Sequence, residues 1–218
     1  MKKIRMASLH VFVLFMAMVL LPCFALGGSI FKTWGDISLS YPDSGWKLFT
    51  EASIRHLQQA TDMHFGKTDD KILIALNSTA SSDIGAAALF RLKISWEYKE
   101  MNQEDLAVHR TEYDHMLPEL YKQMWSVSDT KINSLPASIR GKIPKETSRV
   151  VAARIIDFKG RKAVFSHRIR HFTNGKEKDS FLIIIPLDPY AIVINYNYDS
   201  GNARLRKDVE GILRSVAF

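Results

Sequence analysis

Cysteine is almost absent from this sequence. Cys23 is the only one among 218 residues, and it lies in an N-terminal segment that we predict is removed. A mature chain without thiols excludes disulfide bonds, thiolate metal sites and cysteine nucleophiles. Internal repeats and low-complexity linkers are also absent, so we predict a single domain.

A large excess of either charge is missing as well. The formal net charge of the full chain is +7, and residues 1–25 hold three of its 30 Lys and Arg residues and none of its 23 Asp and Glu residues. Removing them lowers the net charge to +4. Such a mild excess, without a long basic run, argues against a nucleic-acid partner. It is compatible with an acidic partner protein or an anionic membrane surface.

The N-terminus has the layout of a secretory signal peptide. Lys2, Lys3 and Arg5 precede an uncharged apolar run, and Cys23 and Ala25 place small residues before a cut after Ala25. We therefore predict a signal peptide at residues 1–25, a flexible leader at 26–35, and an exported protein, periplasmic or secreted. The alternative is an uncleaved anchor in the inner membrane. The apolar stretch at 11–26 gives roughly 24 Å of helix, however, against a hydrocarbon core of about 30 Å.

Hydrophobic periodicity in the first half predicts strands and one long helix. Residues 36–41, 71–77 and 87–98 read as strands, the last with clean alternation of apolar and polar side chains. Asn102 is a candidate N-cap for the helix that follows. Its predicted inward residues are Leu106, Tyr113, Met116, Leu117, Leu120 and Met124. Pro118 lies inside this pattern and is expected to kink the helix or split it.

The second half reads as four successive strands and a closing helix. The strands are predicted at residues 149–158, 162–172, 180–185 and 190–198, and the helix at 202–214. Lys159-Gly160 and Asn174-Gly175 are turn signals between them. The apolar stretch at 181–198 is long enough to suggest a membrane span, but Pro186 and Pro189 divide it into a buried hairpin. The sequence therefore predicts an α+β fold with an antiparallel sheet and helices against it.

Several of these segments resemble the PsbP-like family, whose fold is shared with the Ran-binding Mog proteins and small exported bacterial proteins. They are "YPDSGW" at 41–46, the hairpin "FKGRKAV", the strand "YAIVINYNY" and the ending "ILRSVAF". The resemblance covers residues 36–49 and 149–218. It implies an α/β/α sandwich, with an antiparallel sheet packed between helices, in a single domain at 36–218. It also implies accessory or binding roles without catalysis, and it transfers no catalytic residue.

The sequence offers no recognisable catalytic or metal-binding pattern. His167 and His171 share one face of a strand, but four residues along a strand is about 13 Å, too far for one metal ion. No serine stands in a nucleophile elbow, and no glycine-rich loop resembles a phosphate cradle. We therefore predict a protein that is not an enzyme and needs no cofactor or metal.

Basic residues on the 162–172 strand and the turn before it are the candidate contact surface, namely Arg161, Lys162, Arg168 and Arg170. They are suited to anionic headgroups or an acidic partner. The alternative is a solvated sheet face whose charges discourage edge-to-edge aggregation. The sequence thus predicts an exported, non-catalytic accessory or interaction protein of the bacterial cell envelope. The alternative function is a carrier that holds a small ligand in a pocket between sheet and helix.

Overall fold

A computed structural model of the protein describes residues 29–56, 59, 70–79, 88–133 and 146–218. The predicted signal peptide lies outside these residues. The described strands are β1 (Ser29–Trp34), β2 (Ile37–Pro42), β3 (Trp46–Leu48), β4 (Lys71–Ser78), β5 (Ala88–Ser95), β6 (Glu146–Phe158), β7 (Arg161–Phe172), β8 (Glu177–Leu187) and β9 (Tyr190–Asp199). The described helices are α1, which includes residues 51–56, α2 (Gln103–Val108), α3 (Arg110–Asn133) and α4 (Ala203–Ser215).

Seven of these strands form one antiparallel sheet in the order β3-β4-β5-β9-β8-β7-β6. The last four strands follow one another as hairpins, and β9 then pairs with β5. The stretch at 181–198 is the β8–β9 hairpin at the centre of this sheet. Ile183, Ile184 and Ile185 are all buried, because a central strand is covered on both faces.

Helices cover both faces of the sheet, as the α/β/α prediction requires. On one face, Leu205, Val209 and Ile212 of α4 pack against the alternate residues of β9 that include Ile192 and Ile194. Each fully buried Leu or Ile side chain contributes about 1.5–3 kcal/mol. On the other face, α2 and α3 pack over a second cluster, whose buried residues are Leu106, Leu117, Tyr121, Ala153, Ile155, Val164, Ile184, Ala191 and Val193.

The hairpin turns use the residues that the sequence signals. Lys159 and Gly160 both have positive φ, 52° and 77°, which is the backbone of a two-residue type I′ turn between twisted strands. Gly175 has a φ of 78° in the β7–β8 connection. Both turn predictions are confirmed.

The segment at 26–35, which we expected to be a flexible leader, includes strand β1. Ser29 to Trp34 pair antiparallel with β2, so the leader prediction is wrong for those residues. The physical reason is that Ile37 and Leu39 fix β2 in the core. The backbone N–H and C=O groups along one edge of β2 are then available to pair with β1. The C-terminal end of the chain also pairs with β2, since Ser38 and Ala217 exchange backbone hydrogen bonds of 2.9 and 2.8 Å.

The long predicted helix differs from expectation in where it breaks and which stripe it buries. The Asn102 side chain accepts a hydrogen bond from the Asp105 backbone N–H, which confirms the cap. The break falls at His109, between α2 and α3, while Pro118 lies inside α3. The helix stays continuous there because proline removes a single backbone donor, and the buried Leu117 and Tyr121 on either side anchor both turns to the sheet.

Candidate functional site

The four predicted contact residues do not form one surface. Side chains alternate along a strand, so Arg161 points to the α4 face of β7 and the other three point to the α3 face. The Arg161 guanidinium lies 5.9 Å from the ring centroid of Phe218. The role of the four residues stays a prediction, but it has to be assigned separately on each face.

Lys162 lies apart from the two arginines on its own face. Its Nζ is 2.6 Å from Asp157 Oδ1, and this hydrogen bond holds the pKa of Asp157 below its usual value. The Lys162 backbone N–H donates to Gln103 Oε1 at 2.7 Å. Lys162 therefore belongs to the contact between β7 and the start of α2.

Arg168 and Arg170 lie near the other end of β7, beneath the second half of α3. The Arg168 guanidinium stacks over the Trp125 ring, 3.6 Å from its centroid, and donates to Ser148 Oγ at 3.2 Å. The Arg170 guanidinium lies 5.1 Å from the Phe172 ring centroid. A cation over an aromatic face is held by the negative charge of the ring centre, so the Arg168 guanidinium has a defined position.

A polar cavity of about 210 Å³ opens at this place. We call it the arginine cleft. The residues that line it are Leu89 and Arg91 of β5, Trp125 of α3, Ser166, Arg168 and Arg170 of β7, Ser180, Phe181 and Leu182 of β8, and Asn195 and Asn197 of β9.

Strand register explains why these distant residues meet. One cross-strand row runs through Arg91, Asn195, Leu182 and Ser166, and the next through Leu89, Asn197, Ser180 and Arg168. Neighbouring strands are about 4.8 Å apart and rows about 6.7 Å apart. Arg91 and Arg168 therefore lie on opposite sides of the same floor, with β9 and β8 between them.

Several polar atoms of the cleft are buried without a partner. Among the described residues, Arg91 Nε, Trp125 Nε1 and Ser180 Oγ have no hydrogen bond. The Ser166, Ser180 and Asn197 side chains belong to residues only 2%, 8% and 9% exposed. Burial lowers the pKa of Arg91, although a guanidinium remains protonated in proteins. Part of the floor of the cleft, around Ser166, Ser180 and Asn197, is thus a desolvated set of hydrogen-bonding groups.

A second recess, of about 440 Å³, lies on the opposite face between α4 and the sheet. His167, Phe181 and Tyr196 form a cross-strand ladder of rings along its floor, with successive centroids 4.2 and 4.6 Å apart. The ladder continues beneath the surface to the buried Phe90, 6.3 Å from Tyr196. Arg206 and Glu210 of α4 stand on its rim, joined by a 2.8 Å hydrogen bond. We call it the α4 recess.

Histidine, aspartate and serine meet beside this recess, but not in a catalytic order. His167 Nε2 is 2.6 Å from Asp179 Oδ1, and Ser200 Oγ donates to Asp179 Oδ2 at 2.8 Å. In a Ser-His-Asp triad the histidine is the direct base of the serine, whereas here the carboxylate lies between the two. The arrangement fixes the His167 ring and is not a Ser-His-Asp triad.

Two other histidines with described partners also lie beside carboxylates. His171 Nδ1 is 2.7 Å from Glu177 Oε1. His109 lies between two carboxylates, with Nδ1 3.2 Å from Glu112 Oε2 and Nε2 3.9 Å from Asp105 Oδ1. Across the ranges that the structure describes, no three His, Cys, Asp or Glu side chains are placed to share a metal ion. None of the helices described within those ranges has the length and apolar character needed to cross a bilayer.

Comparison with known proteins shows the fold. No family model matches the chain, and no curated protein sequence matches it either. The solution structure of CyanoP, the cyanobacterial PsbP of Synechocystis sp. PCC 6803, superposes with a TM-score of 0.52 at 10% identity, covering 89% of this chain and 95% of that one. The chain has a PsbP-like fold.

A second solved structure, from a mycobacterium, is also similar to this chain. LpqN, involved in cell envelope biogenesis of Mycobacterium tuberculosis, matches with a TM-score of 0.42 at 12% identity, over 87% of this chain and 90% of that one. At 10% identity the CyanoP match shows the fold alone, and it confirms the PsbP-like α+β prediction.

Sequence reasoning found Arg168 and Arg170 but missed Arg91, Asn195 and Asn197. A local signal for them exists. On β9, Ala191 and Val193 are followed on the same face by Asn195 and Asn197, so the face turns from apolar to polar halfway along the strand. Arg91 has no such local signal, because it lies opposite Asn195 only through the register between β5 and β9.

Proposed function

We propose that this protein is an exported, non-catalytic accessory protein of the bacterial cell envelope that acts by binding, with the arginine cleft as its contact site. The observation that carries the proposal is the division of one sheet face. The half under α2 and the first turns of α3 is apolar core, and the half under Trp125 is lined with arginine, asparagine and serine. Buried unpaired donors disfavour folding, so this half has a reason other than packing.

Chemistry in both cavities supports binding rather than catalysis. The arginine cleft offers donors and positive charge, while its described lining contains no carboxylate, histidine or thiol that could act as base or nucleophile. In the α4 recess the serine hydroxyl is directed to Asp179 and not to His167. A PsbP-like fold does not by itself assign an activity, so the proposal rests on these sites.

Export is supported by the N-terminal sequence, with its basic start, apolar run and small residues at the predicted cut. The mild positive charge of the mature chain suits an anionic or acidic partner in the envelope. Retention as a membrane anchor is the competing proposal for the same segment.

Site-specific photo-cross-linking in the producing cell tests the proposal. A photoreactive amino acid replaces Asn195, an exposed lining residue of the cleft, and as a control Lys207, an exposed residue of α4. We expect an adduct, of a protein or of a small molecule identified by mass, at position 195 and none at 207. Adducts at 207 alone, or at neither position, would overturn the proposal.

The ring ladder of the α4 recess favours a second candidate function, a carrier for a small ligand. Aromatic rings give apolar contact area, and His167, Arg206 and Glu210 supply the few polar groups that orient a ligand. Native mass spectrometry of the protein isolated from the envelope tests it. A bound small molecule that is lost in Glu210→Gln but kept in Arg91→Gln would support the carrier. A ligand lost only in Arg91→Gln would assign binding to the cleft instead.

A further inference from the structure

Arg91 gives the arginine cleft its uncompensated charge. Its guanidinium lines the cleft together with those of Arg168 and Arg170, and the described lining includes no Asp or Glu. The Arg168 guanidinium is held over Trp125 and by Ser148, whereas the Arg91 Nε is buried and unpartnered among the described residues. Burying a charge without compensation is costly, so the Arg91 side of the cleft is electrostatically complementary to an anion.

Neutral donors surround the same space. Trp125 Nε1 is a donor that cannot accept, and Ser180 Oγ can donate by rotating its hydroxyl. Both are buried without a partner among the described residues. Asn195 and Asn197 lie on β9, between the strand of Arg91 and the strand of Arg168, and their amide groups belong to the two cross-strand rows. An anion with several acceptor oxygens can satisfy donors on both sides of the floor at once.

The chemistry of the donors selects the anion. A guanidinium presents its N–H groups in a planar fork that matches two oxygens of a phosphate or carboxylate. A phosphate monoester carries a charge of about −1.5 to −2 at neutral pH and three acceptor oxygens. The three separate donor groups of Arg91, Trp125 and Ser180 match the three acceptor oxygens of a phosphate monoester better than the two oxygens of a single carboxylate. A cavity of about 210 Å³ has the volume of roughly seven waters, so it holds a phosphate group together with part of the molecule that carries it.

We propose that the arginine cleft binds a phosphate monoester group, with the Arg91 guanidinium and the Trp125 and Ser180 donors as its principal contacts. The inference rests on the proposed function, that the protein acts by binding at this cleft, and it names the ligand chemistry. The same group occurs as a soluble phosphate ester and as the headgroup of phosphatidic acid, and the experiment separates these sources.

Calorimetric titration of the mature protein with inorganic phosphate and with glycerol 3-phosphate tests the proposal. We expect saturable binding that weakens at least about tenfold in Arg91→Gln, because a lost charged hydrogen bond is worth about 1.5–3 kcal/mol and 1.4 kcal/mol is tenfold. Arg161→Gln is the matched control, since it makes the same change on the opposite face of β7. It should bind as the wild type does.

Ser180→Ala is a second variant that keeps all charges and removes one buried unpaired hydroxyl. It should fold as the wild type does and bind phosphate a few-fold more weakly. A parallel flotation assay with vesicles of phosphatidic acid or of phosphatidylcholine alone distinguishes the sources. Binding to phosphatidic acid vesicles together with free phosphate assigns a lipid headgroup, and binding to free phosphate alone assigns a soluble ester.

The proposal would be overturned by a wild type that binds neither phosphate nor phosphatidic acid, by equal binding in Arg91→Gln, or by tighter binding of succinate than of phosphate. These outcomes are separate from the cross-linking result at position 195. An adduct there without phosphate binding would leave the proposed function standing and remove only the ligand assignment.

Discussion

Arg91, Trp125 and Ser180 place buried polar atoms in the arginine cleft without partners among the described residues. Leaving a buried donor unpaired costs about 1–3 kcal/mol. Apolar side chains at these positions would avoid that cost, since Val193 and Ile184 pack in the core on the same sheet face. Selection for stability alone would therefore not favour these polar side chains. The energetic cost at single residues is therefore the first reason to assign the cleft to binding.

The tyrosines of the α4 face give a prediction at the same scale. Burial raises the pKa of Tyr196 above its ordinary 10.0, and the nearby Tyr198 raises it further. The unfolded chain then releases this proton at a lower pH than the folded chain does. The contribution of Tyr196 to stability is therefore complete below about pH 10 and declines as pH rises toward the folded pKa.

Urea unfolding at increasing alkaline pH measures this linkage. The free energy of unfolding of the wild type should fall more steeply above about pH 10 than that of Tyr196→Phe. Burial also raises the pKa of Tyr121, which is present in both proteins. The stability of the variant should therefore still fall with pH, but less steeply. Parallel slopes for the two proteins would show that Tyr196 ionises as freely in the fold as outside it.

At the scale of elements, α3 lies on the sheet through one stripe of residues spaced four apart, Tyr113, Leu117, Tyr121 and Trp125. The neighbouring stripe, Met116, Leu120 and Met124, is 52%, 48% and 41% exposed. The sequence predicted Tyr113 and Leu117 as inward, which is confirmed. It also predicted Met116, Leu120 and Met124 as inward, which is wrong, and it missed Tyr121 and Trp125. The two stripes are one residue apart, about 100° around the helix, and the helix buries the one that carries the larger aromatic area.

Matched alanine substitutions test this orientation. Leu117→Ala removes a side chain that is 5% exposed and should lower the free energy of unfolding by about 2–5 kcal/mol. Met116→Ala, one position away, should change it by no more than about 0.5 kcal/mol. Both values come from urea denaturation. A large loss for Met116→Ala with a small one for Leu117→Ala would reverse the orientation of α3.

Most of the fold follows from local patterns, whereas the cleft does not. Alternation along β9 gave its two faces, and Lys159-Gly160 and Asn174-Gly175 gave the turns. The cleft depends on β5 pairing with β9, which places Arg91 opposite Asn195, about a hundred positions later in the chain. No local period encodes that register, because it is set by which apolar faces are buried together in the sheet.

The whole molecule is a sheet with two differently used faces. The α4 face holds the larger core and the ring ladder, and the α3 face divides into core and arginine cleft. The two cavities lie on opposite sides of the same strands and share only Phe181 among their described lining residues. A variant of any other lining residue of one cavity is therefore a control for the other. Arg161 and Arg168, only seven positions apart on β7, illustrate this separation.

Export is a prediction about the whole chain. Cuts after Ala25 or after Gly27 both satisfy the small-residue rule, so the mature protein should begin at Leu26 or Gly28. N-terminal sequencing of the exported form measures this. Recovery of the intact N-terminus from the membrane fraction would instead establish the retained anchor.

The most direct test of the central claim follows the cleft itself by NMR while inorganic phosphate is added to isotope-labelled mature protein. The account predicts saturable shifts of the Trp125 indole N–H, the Arg91 Nε–H and the backbone amides around Ser180, with the amides of α4 unmoved. Shifts confined to the α4 recess around His167 and Arg206, or no saturable shift at all, would contradict the account.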